Sequence, residues 1–263
     1  MPTKKKVKGM FDSIAGDYDS LNHILSLDVD KIWRKKALKA IVDAPAPVQI
    51  LDLACGTGDF SIAVAKALRK RHLDRLGDRN NPVAVVRQAH QPVEAPGDTA
   101  SGHVTGVDLS QGMLAVMREK VAKAGLTEMI SMEEGDGENL RFPDNTFDRV
   151  TIAFGIRNFE DRQKGLREML RVLKPGGRLV LLELSRPENK VIRWFYDLYF
   201  LHILPKIGGK VSGDKAAYAY LPASVATFPG RKQFTATMQS AGFRNITHKA
   251  LTLGICRMYT GEK

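Results

Sequence analysis

Four short segments of this chain place glycines and polar groups directly behind apolar, β-branched runs, which is where an open α/β sheet holds its ligands. The first is Leu51-Asp52-Leu53-Ala54-Cys55-Gly56-Thr57-Gly58-Asp59-Phe60. Its glycines allow a tight turn and a close backbone approach to a ligand. The second is Asp108, which ends Val104-Thr105-Gly106-Val107; a carboxylate there can accept hydrogen bonds from both hydroxyls of an adenosine ribose. The third is Gly135-Asp136-Gly137-Glu138-Asn139-Leu140, where Asp136 is placed to meet an adenine amino group and Gly137 to let the backbone reach the ring. The fourth, Phe154-Gly155-Ile156-Arg157-Asn158, brings a guanidinium to the same edge. A dinucleotide fingerprint would require glycine or alanine where this chain has Ser61. Asp59 also puts a negative charge at a helix start, which opposes a pyrophosphate and suits a ligand carrying an ammonium.

The elements that position these groups follow from periodicity. Residues 8–43 read as a helical cap, with apolar positions Ile24, Leu25, Ile32, Trp33, Ala37, Leu38 and Ile41 at three- and four-residue spacing. Beyond Pro45 and Pro47 come a strand (Val48–Leu53) and a helix (Phe60–Leu68). Residues 70–102 lose the apolar period and read as a disordered surface insertion. The pattern then resumes with a strand ending at Asp108, a helix from Gly112 to Ala124, and a strand from Ile130 to Glu133. A strand from Phe147 to Ala153, a helix from Arg162 to Leu173 and a strand from Arg178 to Leu184 complete the run. Strands alternating with helices predict an α/β, doubly wound, mostly parallel sheet. Asn245–Thr252 and Cys256–Thr260, turned at Gly254, predict a C-terminal hairpin whose last strand enters antiparallel, giving seven strands in all.

One domain is expected from 263 residues with 43% apolar content. No apolar run is long enough for a membrane span, and Lys4-Lys5-Lys6 is followed by none, so a cytoplasmic protein is expected. The net charge of +11 favours anionic surfaces but comes with no nucleic-acid-binding motif. Cys55 and Cys256 read as reduced, non-catalytic thiols, and His202 and His248 lack partners at metal-ligand spacing, so no metal is expected.

Together with Leu170-Arg171-Val172-Leu173-Lys174-Pro175-Gly176-Gly177-Arg178-Leu179, the ligand segments resemble the class I methyltransferase pattern. Phe11-Asp12-Ser13-Ile14-Ala15-Gly16-Asp17-Tyr18-Asp19, Leu21-Asn22, Phe154-Gly155-Ile156-Arg157-Asn158 and Pro205-Lys206-Ile207-Gly208 resemble the ubiquinone/menaquinone biosynthesis C-methyltransferase family, over nearly the whole chain apart from residues 70–102. The resemblance implies a Rossmann-like fold and methyl transfer from S-adenosylmethionine to a ring carbon of a polyprenylated quinol. Demethylmenaquinol is preferred, with a benzoquinol or another small molecule as the alternatives and a non-catalytic quinone- or cofactor-binding subunit as the reading from another class. Cofactor positions carry over to Thr57, Asp108, Asp136 and Gly137, in a site that also takes in Asp52, Gly56 and Gly58. Asp136 and Gly137 stand where relatives often have asparagine and alanine, and Ala153 where serine is frequent.

Methylation at carbon needs an electron-rich ring, hence the reduced quinol and stabilisation of its phenolate. Arg157 fits that role, with Asn158 and Tyr18 orienting a quinol oxygen or a proton-accepting water; arginine itself is too basic to act as the base. The bland alternative for Arg157 is an ion pair with Glu160 or Asp161. Residues 191–204 are apolar nearly all round a helix, so something must cover them: core packing or a homodimer interface on one reading, and on the other a lid over residues 188–230 for a polyprenyl tail, resting on the membrane surface.

Overall fold

The computed structural model describes residues 3–16, 18–19, 26, 28–44, 48–77, 101–200 and 215–263. Helices α1 (Lys4–Ile14) and α2 (Val29–Val42) precede the sheet. Then follow β1 (Val48–Leu53), α3 (Asp59–Gly77), β2 (Gly102–Asp108), α4 (Gln111–Lys123), β3 (Ile130–Glu134) and β4 (Phe147–Ala153). A 3-10 turn at Ile156–Asn158 leads to α5 (Arg162–Val172), β5 (Leu173–Leu184), α6 (Lys190–Leu198), α7 (Lys215–Ala226) and α8 (Arg231–Ala241), and the hairpin β6 (Arg244–Leu251) and β7 (Cys256–Glu262) closes the chain.

The seven strands lie in the order β3-β2-β1-β4-β5-β7-β6. Pairs β1/β2, β2/β3, β1/β4 and β4/β5 are parallel, while β7 runs antiparallel to both β5 and β6. The expected doubly wound sheet with an antiparallel last strand is therefore present. Each β1 residue faces a side set by the period of two. Val48 and Ile50 pack with Trp33, Ala37 and Ile41 of α2 and with α3 and α4, whereas Leu51 and Leu53 pack with Leu166 and Met169 of α5 and Phe234 and Met238 of α8. Truncating a fully buried Ile41 or Ile50 to alanine costs about 2–5 kcal/mol.

Several boundaries differ from the sequence reading. Helix α3 runs to Gly77, into the stretch read as insertion, and Ser101-Gly102 already belongs to the ordered entry of β2; residues 78–100 lie outside the described residues. Strand β5 begins at Leu173 instead of Arg178, because Gly176 adopts φ +74° and lets the chain rejoin β4 past an irregularity between Phe147 and Arg149. Ile32, assigned to the buried stripe of the cap, points outward at 55% exposure. Ile24, Leu25, His202 and residues 205–208 lie outside the described residues.

The chain leaves β1 toward β2 on one side and later returns to β4 on the other, so the switch point lies between β1 and β4. The first residue after each strand, Ala54 (φ +53°) and Phe154 (φ +63°), is held in the left-handed region. Such geometry in non-glycine residues costs free energy and clusters at functional sites. Gly155 makes the approach feasible: a Cβ there would lie 2.5 Å from the Ala54 Cβ.

Candidate active site

Two cavities open at this switch point and share Tyr18 and Phe154 in their walls. The first lies over the carboxyl ends of β1, β2 and β3 and is lined by Gly56, Asp108, Asp136, Gly137, Asn158 and the underside of α1. Asp108 is its central group. One carboxylate oxygen accepts the Gly56 N–H (2.9 Å) and the other the Ser110 N–H (2.9 Å), with the Leu109 N–H also directed at the carboxylate. Burial raises its pKa against those hydrogen bonds. Ser110 and not Asp108 caps the following helix, its hydroxyl accepting the Met113 N–H.

Helix α1 lies across this cavity. Lys4 Nζ pairs with Asp136 (2.7 Å) and Glu138 (2.9 Å), Lys8 pairs with Glu134, and Asp12 accepts from the Ser110 hydroxyl (2.6 Å) and the Gly112 N–H (3.1 Å). Burial opposes the Lys4 charge, but its two carboxylate partners outweigh that and raise its pKa. Lys4 and Lys8 are thus both tied to carboxylates at the cavity rim. With α1 in this position the cavity encloses about 80 Å³, less than the roughly 300 Å³ at which small-molecule sites begin.

Asp52, Thr57 and Gly58 do not line the cavity; they build the turn behind it. Asp52 is buried and accepts from the Ser61 hydroxyl (2.5 Å), and burial pushes its pKa up to about 7. Ser61, where a dinucleotide fingerprint has glycine, is thereby absorbed into the core. Thr57 donates to Asp19, and Gly58 (φ +82°) fits because a Cβ would lie 2.4 Å from Met117 Cγ. Asp59, read as a partner for a ligand ammonium, is already met by Lys120 and by Arg34 (3.3 Å).

The second cavity, of about 480 Å³, is largely apolar, with Val29, Trp33, Leu184, Ile192, Phe195, Phe200, Leu221 and Ile255 in its wall. Arg157 faces it. Its partner is neither Glu160 nor Asp161 but Glu183, fully buried in β5. Glu183 accepts the Arg157 backbone N–H (3.0 Å) with one oxygen, and Nη1 (2.9 Å) and the Leu184 N–H (2.8 Å) with the other. Arg157 Nη1 also donates to the Phe154 carbonyl, and Nε lies 3.3 Å from the Ser224 hydroxyl of α7. Asn158 sits on the wall of the first cavity and accepts from the Tyr220 hydroxyl (2.8 Å). Tyr18, in contact with Phe11 edge to face (5.9 Å), is the one proposed catalytic side chain common to both cavities.

The sequence matches a known family over residues 2–263, described as the ubiE/COQ5 methyltransferase family. The chain belongs to the ubiE/COQ5 methyltransferase family. It is 44% identical over 98% of its length to the ubiquinone/menaquinone biosynthesis C-methyltransferase UbiE of Geobacter sulfurreducens, covering 89% of that protein. It is 40% identical over 98% of its length to the demethylmenaquinone methyltransferase of Bacteroides fragilis, covering 93% of it. Among solved structures it is similar to the [4+2]-cyclase SpnF (TM-score 0.67, 18% identity, 100% of this chain and 97% of that one). It is also similar to a SAM-dependent methyltransferase of Aquifex aeolicus (TM-score 0.55, 18% identity, 87% of this chain and 88% of that one). These structures share the fold; that one of them is named a cyclase illustrates that the fold alone does not set the reaction.

The sequence reading of this family member missed Glu183, Ser224, Tyr220 and the Lys4 clasp. Glu183 alone left a signal, a lone carboxylate inside the apolar run Leu179-Val180-Leu181-Leu182-Glu183-Leu184. A charge in a buried strand requires a partner. Cys55 and Cys256 are free thiols whose pKa values burial pushes up, which makes them poor nucleophiles.

Proposed function

We propose that this protein transfers a methyl group from S-adenosylmethionine to a ring carbon of a polyprenylated quinol, converting demethylmenaquinol to menaquinol in menaquinone biosynthesis. The observation that carries this reading is the pair of cavities meeting at Tyr18 and Phe154, one acidic and one apolar with a guanidinium in its wall. Names borne by relatives supply the quinone chemistry. The cofactor, when bound, supplies an electrophilic sulfonium methyl. The residues present fit it: the Asp108 carboxylate suits a ribose diol, and Asp136 beside Gly137 in the same wall suits an adenine amino group. An acidic surround also favours a cationic ligand.

On the substrate side, Arg157 stabilises the negative charge that develops on the quinol oxygen as the ring carbon attacks. Glu183 fixes its guanidinium, Tyr18, which lines both cavities, orients the oxygen or a water beside it, and Asn158 acts from the first cavity's side of that boundary. The apolar cavity excludes water, which strengthens that charge interaction. Helices α6 and α7 serve as the lid. Val191, Trp194, Phe195 and Leu198 of α6 are exposed beside Arg186, Lys190 and Arg193, which suits contact with an anionic membrane surface on the cytoplasmic side, where a polyprenyl tail resides. A second copy of the chain is the alternative cover for this face. Among the described residues no helix is long and apolar enough to cross a membrane.

The deciding assay is transfer of labelled methyl from S-adenosylmethionine to chemically reduced demethylmenaquinol and to the matching benzoquinol in detergent, with the oxidised quinones as controls. Label on the reduced naphthoquinol alone supports the reading, and label on neither ring refutes it. Arg157→Ala should lower kcat about 100-fold, as removal of an oxyanion donor does, with cofactor affinity held. Sedimentation with anionic vesicles, lost in a Trp194→Ser/Phe195→Ser variant, tests the membrane contact, and light scattering tests the dimer.

A further inference from the structure

Tyr196 and Arg34 line the apolar cavity, and each carries a buried polar atom without a hydrogen-bond partner among the described residues, Tyr196 Oη and Arg34 Nε. Tyr196 is only 7% exposed and is fixed by stacking on Phe200, with ring centroids 4.1 Å apart. A buried donor without a partner costs about 1–3 kcal/mol, so its persistence in a rigid wall calls for a ligand that completes it. Arg34 lies at another corner, its guanidinium 5.9 Å from the centroid of the Phe154 ring and 3.4 Å from Asp30, which in turn accepts from the Ser26 hydroxyl (2.7 Å). Phe154 thus carries Arg34 on its ring and Arg157 on its carbonyl.

We propose that the apolar cavity recognises both oxygens of a para-dihydroxy ring, one at the corner formed by Arg157 and Tyr196 and the other at the corner formed by Arg34 and Asp30. This rests on the quinol reading above. The Tyr196 hydroxyl donates to the oxygen on which negative charge develops, sharing it with Arg157. Burial raises the Tyr196 pKa, so it stays protonated and able to donate. At the other corner the Asp30 carboxylate accepts the second hydroxyl while Arg34 donates to its oxygen. A quinone has no hydroxyl proton to donate to Asp30, whereas the reduced ring adds one to the bonds Asp30 already accepts; the reduced ring is selected on that account as well as by its nucleophilicity.

Tyr196→Phe removes one oxygen and keeps the ring. It should weaken kcat/KM for the quinol about tenfold, leave cofactor affinity within twofold and leave the melting temperature unchanged or raised, because an unpartnered hydroxyl has been removed. A hydroxyl with a structural role would instead lower the melting temperature and spare kcat/KM. Arg34→Lys, which keeps the charge and removes Nε–H, should likewise cost about tenfold in quinol kcat/KM. In the unaltered enzyme each monomethyl ether of the quinol should fail as a substrate, since each blocks one corner. Turnover of either ether at the parent rate, or unchanged kcat/KM in Tyr196→Phe, overturns the proposal. If the unaltered enzyme methylates no quinol at all, the functional reading fails first.

Discussion

Glu183→Gln isolates the device that holds Arg157. The wild-type carboxylate accepts three hydrogen bonds at 2.8–3.0 Å, two of them from Arg157, and has no exposure to water. An amide of the same shape carries only one acceptor oxygen. Its NH2 must then face an N–H donor, and the guanidinium, itself 7% exposed, loses its counter-charge. Breaking a buried pair on one side costs about 3–5 kcal/mol, roughly a fifth or more of the stability of an ordinary domain. At roughly 2–4 °C per kcal/mol the melting temperature should fall by about 10 °C.

Urea denaturation of the single variants and of the Arg157→Met/Glu183→Gln double variant completes a cycle. The double variant removes both charges, so it should recover at least about 2 kcal/mol relative to the sum of the singles. Activity gives a second readout, because Glu183 also holds the Arg157 backbone: kcat should fall in Glu183→Gln at a temperature where the variant is folded, with cofactor affinity unchanged. A loss of stability under about 1 kcal/mol, or a coupling under about 0.5 kcal/mol, would refute the argument that this pair is closed and dry.

Asp52 should make stability depend on pH in the less usual direction. The folded state keeps its proton up to about pH 7 while the unfolded chain releases it near 3.8, so the folded state binds more protons and its stability falls as pH rises through that window, by on the order of 4 kcal/mol in total. Subtracting the Asp52→Asn curve from wild type should leave this slope between pH 4 and 7, and a flat difference would refute it. Asp108→Asn should weaken S-adenosylmethionine binding about tenfold or more in calorimetry, since two charge-assisted bonds become weaker neutral ones; unchanged affinity would remove Asp108 from the cofactor site. Lys4→Met frees Asp136 from a partly exposed pair worth roughly 0.2–1 kcal/mol. Asp12 still holds α1 through Ser110 and Gly112. Cofactor binding should therefore tighten up to about fivefold, and weaker binding would show Lys4 to be part of the bound state.

What could be read from the sequence divides along the range of the interactions. The sheet and its order of strands and helices follow from periods of two and three to four residues, which are local. Asp108 and Asp136 were recognisable because a carboxylate behind a β-strand has a position defined by the strand itself. Arg157 could be placed at the edge of β4 for the same reason, but its partner could not, because Glu183 is adjacent only through the pairing of β4 with β5 and lies 26 residues away. Lys4 is further still, 132 residues from Asp136. Asp59 shows the converse failure. A local rule, negative charge at a helix start, assigned it to a ligand, and two cations from other elements had already met that charge.

The same contrast explains why Phe154 matters more than its apolar side chain would suggest. Its positive φ is followed by Gly155, which has no Cβ to strike Ala54 across the β1/β4 junction. That geometry points the ring to Arg34 and the carbonyl to Arg157, and puts the residue in the wall of both cavities. A methyl donor in one cavity and an acceptor ring in the other must meet in line within about 3–3.5 Å, so the boundary between them has to be thin and rigid. A backbone held in a strained region by packing on both sides meets both requirements. Gly155→Ala should accordingly lower the rate of transfer more than it lowers affinity for either ligand, because it displaces the boundary and leaves Asp108, Tyr196 and Arg34 in place. Equal losses in rate and in both affinities would mean that the residue supports the fold and does not set the approach.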